Sequence, residues 1–237
     1  MPAVVFDFDG VIIDSEYEIA TCVLDALTAR GATIALADIA HLFGSTDLDD
    51  EWDALLDRLF HGSFTSAELD AELDVILPDR IDALPLLPGV IEVLDAAKAA
   101  SWPIGMATGQ SRRRLDQHLL RLGLADRFDT IVTRSEVSRG KPAPDIYLAA
   151  AMRLEHDPGA CLAIEDSLPG CQAALAAGME VVVCPSRVTA DCAFPPAIRR
   201  VNSLSDLRLD SAFRPDRAAP RRRLEWQRSP AERIDGV

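Results

Sequence analysis

No stretch of this sequence approaches the ~20 consecutive apolar residues that a membrane-spanning helix requires. Basic charge is scarce as well. The chain carries 24 Lys and Arg against 38 Asp and Glu, a formal net charge of −14. A nucleic-acid binder needs a basic face, so that class of partner is excluded. No C-x-x-C pair occurs, and the five cysteines, Cys22, Cys161, Cys171, Cys184 and Cys192, are odd in number. Most lie in apolar segments, where a reduced thiol packs as a small hydrophobe. With no leader pattern in view, the expectation is a reducing cytoplasm. What is present is 237 residues with 49% hydrophobic content, enough for one large domain or two small ones around a proper core.

Residues 3–8 form an apolar run broken by Asp7, the pattern of a strand buried on both faces. Similar runs recur at 103–107, 128–133, 160–164 and 180–184. Helical patterns lie between them at 89–100, 111–122 and 168–177, the last two stopped by Gly123 and Gly178. Strands alternating with helices predict an α/β fold with a parallel sheet covered on both faces.

Residues 15–87 break the alternation. Helical spacing at 16–30, 47–60 and 66–77 places Leu48, Trp52, Leu55, Leu56 and Leu59 on one amphipathic face, and Leu69, Leu73, Ile76 and Leu77 on another. An all-helical module is therefore expected as an insert after the first strand, with a proline-punctuated return at 84–90. From about residue 214 the chain turns Arg- and Pro-rich without periodicity, and a mobile or loosely docked tail is expected over 214–237. Docking of that basic tail on the acidic body is the alternative.

In open parallel sheets, ligands bind beyond the carboxyl ends of the strands. There the sequence delivers Asp7 and Asp9, then Thr108 with Gly109, then Lys141, then Glu165 with Asp166. Clustered carboxylates repel one another unless a cation stands among them, and a hard cation with oxygen ligands, Mg²⁺, fits. Lys141, the Thr108 hydroxyl and nearby backbone N–H groups make an anion cradle beside it. Together these read as a phosphate site with a carboxylate placed to attack phosphorus.

The ordered segments DFDGVIID, MATGQ, GKPAPDIY and IEDSLPGCQAALAAGM resemble the four motifs of the haloacid dehalogenase-like superfamily over roughly residues 3–207, in its β-phosphoglucomutase-like and phosphatase branch. The resemblance implies a Rossmann-like core, 1–14 and 88–213, with a helical cap, 15–87. It implies Asp7 as nucleophile and Asp9 as general acid and base. It assigns Mg²⁺ to Asp7, the carbonyl of Asp9, Asp166 and the adjacent Glu165. Thr108, Gly109 and Lys141 would hold the phosphoryl oxygens, and Gly10 would turn the chain beneath them. Oligomeric state is left open, with a monomer compatible with this cap type.

Mutases of that branch resemble this chain but carry a cap histidine where Ile19 stands, and an arginine in the stretch corresponding to 42–50, which has no base. Residues 15–88 hold sixteen acidic and three basic side chains. The reading is therefore a Mg²⁺-dependent phosphatase of a small sugar or polyol phosphate, with a phosphomutase as the alternative and a catalytically silent binding protein as the alternative of another class. Tyr17, Phe43, Ser45 and Thr46 are the candidate substrate contacts from the cap, while Trp52 is read as cap core. Among the remaining polar residues, Asp14 reads as a helix N-cap. Arg112, Arg113 and Arg114 read as a solvated helix face. His118 and His156 read as surface residues.

Overall fold

The computed structural model describes residues 1–45 and 49–212; Thr46, Leu48 and the expected tail at 214–237 lie outside the described residues. Six parallel strands form one sheet in the order β3-β2-β1-β4-β5-β6. They are β1 (Ala3–Phe6), β2 (Ile104–Thr108), β3 (Thr130–Thr133), β4 (Cys161–Glu165), β5 (Glu180–Val183) and β6 (Arg199–Arg200). The short β6 was not expected from the sequence. β1 is shorter than its apolar run: it pairs through Phe6, and beyond it the Asp7 N–H donates to the Ile164 carbonyl at 3.0 Å.

Alternation along the central strands divides the core. Val4, Phe6, Met106, Leu162 and Ile164 face one side, where they meet Val90, Val93 and Leu94 of α5 (Val90–Ala99) and Leu115 and Leu119 of α6 (Arg112–Arg121). Ala3, Val5, Ala107, Cys161 and Ala163 face the other, against α7 (Asp145–Arg153) and α8 (Leu168–Ala177). The second face is lined largely by alanine, so α7 and α8 can lie close on the sheet.

The insert between β1 and α5 contains α1 (Ser15–Ala29), α2 (Leu36–Ile39), α3 (Asp49–Phe60) and α4 (Ser66–Asp82). The last runs beyond the expected 66–77. Pro78 removes one backbone donor, but Leu69, Leu73, Leu77 and Ile81 continue a buried stripe at four-residue spacing through it. Ile76 leaves that stripe and is 45% exposed, a correction to the expected face. On α3, Leu55 and Leu56 are buried, with Trp52 and Leu59 half-buried. Where the chain leaves the core and returns, the Leu87 N–H donates to the Ile12 carbonyl at 2.9 Å, tying the two crossings together. No described helix is long and apolar enough to cross a membrane, and all five cysteines are free thiols.

Candidate active site

Parallel register brings the carboxyl ends of β1, β2 and β4 to one edge, because Phe6 pairs with both Met106 and Ile164. Asp7 therefore emerges beside Glu165 and Asp166, and one carboxylate oxygen from each of the three lies within 4.8 Å of the others. Only two lysines occur in the chain, and one of them, Lys141, is 2% exposed in this cluster. Its Nζ is 2.9 Å from Asp7 Oδ1 and 2.7 Å from Glu165 Oε1.

Glu165 is the anchor of that lysine. Its Oε1 also accepts from Tyr147 Oη at 2.5 Å, and its Oε2 accepts from Asp166 N, Ser167 N and Ser167 Oγ. Gly170 makes room for it: a Cβ there would come 1.9 Å from Glu165 Oε1. Asp166 has the opposite surroundings. Both its oxygens are buried and neither accepts a well-formed hydrogen bond. Gly10 has φ +71°, and a Cβ on it would fall 2.2 Å from Asp166 Oδ2, so only glycine lets the loop after β1 pass so close.

Charge in this cluster is unbalanced. Burial raises the pKa of Asp7 well above the ordinary aspartate value; Lys141 pulls it back, while Glu165, Asp9 and Asp166 push it up again. Asp166 is pushed up to about 7, by burial first and by Glu165 next. Burial opposes the charged form of Lys141, yet the carboxylates of Asp7 and Glu165 outweigh it and hold its pKa above the usual lysine range. Too many buried carboxylates thus share one cation. A second cation with hard oxygen preferences fits this donor set, and the uncommitted oxygens of Asp166 are the natural ligands beside Asp7. Glu165 lies in the same group, but five hydrogen bonds already engage its oxygens.

Asp9 sits apart from that excess. Ser15 Oγ donates to its Oδ1 at 2.5 Å, and Gln110 Nε2 donates to both oxygens at 2.9 and 3.1 Å. Asp7, Asp9, Gly109 and Lys141 all border a cavity of about 650 Å³ between the sheet edge and the insert. Thr108 is fully buried at the end of β2, where its Oγ1 accepts from Gln110 N at 3.1 Å.

A family model for haloacid dehalogenase-like hydrolases matches residues 1–178. The chain belongs to that family. Putative phosphatase YhcW of Bacillus subtilis (strain 168) is 31% identical over 211 residues, 87% of this chain and 94% of its own length. Beta-phosphoglucomutase of the same organism is 32% identical over 197 residues, covering 77% and 82% respectively. Among solved structures, CbbY from Rhodobacter sphaeroides in complex with phosphate superposes with a TM-score of 0.69 at 26% identity, over 87% of this chain and 96% of that one.

In this haloacid dehalogenase-like hydrolase, Phe43, Ser45 and Trp52 from the cap border the cavity with Ile19 and Leu42. Phe43 and Trp52 meet edge to face with centroids 6.3 Å apart, and Ser45 Oγ donates to the Lys141 carbonyl at 3.0 Å. Tyr17 does not border it: the Arg187 guanidinium stacks 3.3 Å over its ring instead. Asp14 precedes α1 but makes no side-chain cap, and pairs with Arg187 at 3.5 Å. His118, expected at the surface, is 3% exposed, because it shares the inward i, i+3, i+4 face of α6 with Leu115 and Leu119; His156 is half-buried. Arg112 does pair at the surface with Asp116, but Arg113 and Arg114 border the cavity.

Sequence pattern does not single out four residues at the site: Gln110, Ser15, Tyr147 and Glu16. Glu16 is buried beside Asp166, and burial raises its pKa well above the ordinary glutamate value, with Asp166 as the next cause.

Proposed function

We propose that this chain is a Mg²⁺-dependent phosphatase that hydrolyses a small phosphomonoester of the sugar or polyol phosphate class through an aspartyl-phosphate. Family membership and a phosphatase-named relative make it a phosphoric monoester hydrolase. The observation that carries the finer reading is the pairing of two unlike carboxylates two residues apart. Asp7 is buried against Lys141, and Asp9 is held out from the cluster by Ser15 and Gln110.

An Asp7 carboxylate oxygen attacks phosphorus as the bond to the leaving oxygen breaks. Asp9 gives its proton to that oxygen. Asp9 then takes a proton from the water that attacks the phosphoryl group, and the Asp7 carboxylate is released. Lys141 and the backbone at Gly109 hold phosphoryl oxygens, and Glu165 keeps Lys141 in place. Asp7, the Asp9 carbonyl and Asp166 would hold Mg²⁺, which would supply charge neutralisation for the incoming phosphate.

The mutase reading has one observation in its favour, the likeness to a beta-phosphoglucomutase. Against it, the half-buried apolar side chain of Ile19 borders the cavity where a cap base would relay protons. The test is turnover of p-nitrophenyl phosphate and a panel of sugar phosphates with and without Mg²⁺. Mg²⁺-dependent release of phosphate, abolished in Asp7→Asn, is the expected result. Absence of turnover across the panel overturns the phosphatase, and conversion of β-glucose 1-phosphate to glucose 6-phosphate restores the mutase.

A further inference from the structure

Two acids stand in the first turn of α1, Glu16 and Glu18. An acid there suits the positive end of a helix. That account is enough for Glu18, whose side chain is 26% exposed and lies 3.7 Å from Arg80. It does not cover Glu16, which is 5% exposed and whose Oε2 is buried without a well-formed hydrogen bond to a described residue. Glu16 borders the cavity, and the charges that act on it most are those of Asp166, Asp9 and Asp7, all of its own sign. Burying a carboxylate without a partner is costly. A locally unfavourable choice without compensation within the fold points to a ligand.

The ligand is indicated by the neighbour. Both oxygens of Asp166 are also buried without a well-formed hydrogen bond. Orphaned oxygens from the sheet edge and from the insert therefore lie side by side, and Lys141 is already committed to Asp7 and Glu165. The oxygens that lie within 4.8 Å of one another belong to Asp7, Glu165 and Asp166, and Glu16 is not among them. It stands one layer further out, at the reach of a bridging water. Mg²⁺ keeps several waters when few carboxylates hold it, and groups that accept from such waters orient them and strengthen the site.

Resting on the Mg²⁺ reading of this cluster, we propose that Glu16 belongs to the cation site, accepting a hydrogen bond from a water that Mg²⁺ holds, so that metal binding pins the first turn of α1 to the sheet edge. Ser15, its neighbour in that turn, donates to Asp9 Oδ1 at 2.5 Å. One turn of the insert thus reaches both the cation site and the carboxylate that moves the proton. The coupling is reciprocal: Mg²⁺ favours a docked α1, and a docked α1 tightens Mg²⁺.

The test uses the full chain without substrate and has two readouts. One is the half-saturating Mg²⁺ concentration, from metal-dependent thermal stabilisation. The other is the slowing of amide hydrogen exchange over residues 11–18 when Mg²⁺ is added. In Glu16→Gln the half-saturating concentration is expected to rise about tenfold, and the Mg²⁺-dependent protection of 11–18 to disappear. Glu16→Ala should show the same two losses, and unfolding curves without metal check that both variants fold. Glu18→Gln removes an equal charge from the same turn and should leave both readouts at wild-type values. Wild-type Mg²⁺ affinity in Glu16→Gln, an equal loss in Glu18→Gln, or protection of 11–18 that persists in Glu16→Gln overturns the role of Glu16. No Mg²⁺ response in the wild type overturns the cation reading itself, and the proposal with it. Neither readout needs turnover, so both are separate from the p-nitrophenyl phosphate assay that decides the phosphatase reading.

Discussion

Gln110 Nε2 lies 2.9 Å from Asp9 Oδ1 and 3.1 Å from Oδ2, so one amide engages both oxygens of the carboxylate two residues beyond Asp7. With Ser15 Oγ on Oδ1, the side chain is fixed from core and cap together. In the proposed mechanism Gln110 acts through Asp9, as a positioning residue. General acid–base transfer contributes about 10²–10⁴-fold, and loss of orientation forfeits part of it. Gln110→Ala is expected to lower kcat about tenfold, roughly 1.4 kcal/mol of barrier, with KM little changed. Gln110→Glu sets a second carboxylate against the first and should cost more. Steady-state kinetics on p-nitrophenyl phosphate measures both, and a change confined to KM would contradict the assignment.

Lys141 holds two buried carboxylates at once, at 2.9 Å from Asp7 Oδ1 and 2.7 Å from Glu165 Oε1. Removing one partner of a buried ion pair leaves an uncompensated charge and costs about 3–5 kcal/mol. Lys141→Met should therefore lose stability of that order in urea denaturation with EDTA present, together with all turnover. Adding Glu165→Gln removes one stranded charge and should recover part of the stability but none of the activity. A double variant no more stable than Lys141→Met would show that the lysine acts through something other than these carboxylates.

The sheet and the strand-end cluster were legible because parallel strands buried on both faces read as continuous apolar runs, and an Asp or Glu ending such a run has no structural reason to be there. Thus Asp7, Glu165 and Asp166 could be named from position, whereas Lys141, well beyond the end of β3, is named as the lysine of the segment that follows that strand. Gln110 could not: it reaches Asp9 from 101 residues away, and the path of a loop decides that contact. Ser15 and Glu16 stand at the start of a helical pattern, where spacing does not reveal that both turn inward. Arg113 and Arg114 looked like a solvated run because a charge pattern does not reveal which helix face borders a cavity. The end of α4 was missed because Pro78 is a stop signal locally, while the burial of Ile81 is a tertiary matter.

Gly10 allows a sharper test of the cation site. Its φ is +71°, and a Cβ there would fall 2.2 Å from Asp166 Oδ2. Gly123 has nearly the same φ, +70°, with nothing within 4 Å of its Cβ position. Alanine at either should cost about 1–2 kcal/mol from the left-handed backbone alone. Only Gly10→Ala must also displace Asp166. The half-saturating Mg²⁺ concentration, read from metal-dependent thermal stabilisation, should therefore rise about tenfold or more in Gly10→Ala and stay at the wild-type value in Gly123→Ala. Equal Mg²⁺ responses in the two variants would remove Asp166 from the ligand set.

His118 gives the fold a pH dependence of definite sign. Its ring is 3% exposed, stacks on Phe8 with centroids 5.7 Å apart, and leaves both nitrogens buried without a hydrogen bond. Burial lowers its pKa below the ordinary 6.5; Asp82, whose Oδ1 is 3.5 Å from Nδ1, works the other way, Arg121 and Arg114 push it lower, and Asp9 opposes them. As pH falls below about 6.5 the unfolded chain takes up a proton that the folded one resists, so this contribution to stability is present above that value and is lost progressively below it. The raised carboxyls of Asp7 and Asp166 carry the opposite sign, which makes the difference between variant and wild type the informative quantity. His118→Phe keeps the stack on Phe8 and removes the titrating group, so the fall in its Tm between pH 7 and pH 5 should be smaller than in wild type by a measurable margin. Asp82→Asn removes the carboxylate 3.5 Å from Nδ1 and should make the fall steeper. A His118→Phe profile parallel to wild type would mean that the ring takes up its proton equally in the folded and unfolded chain, and that burial does not shift it.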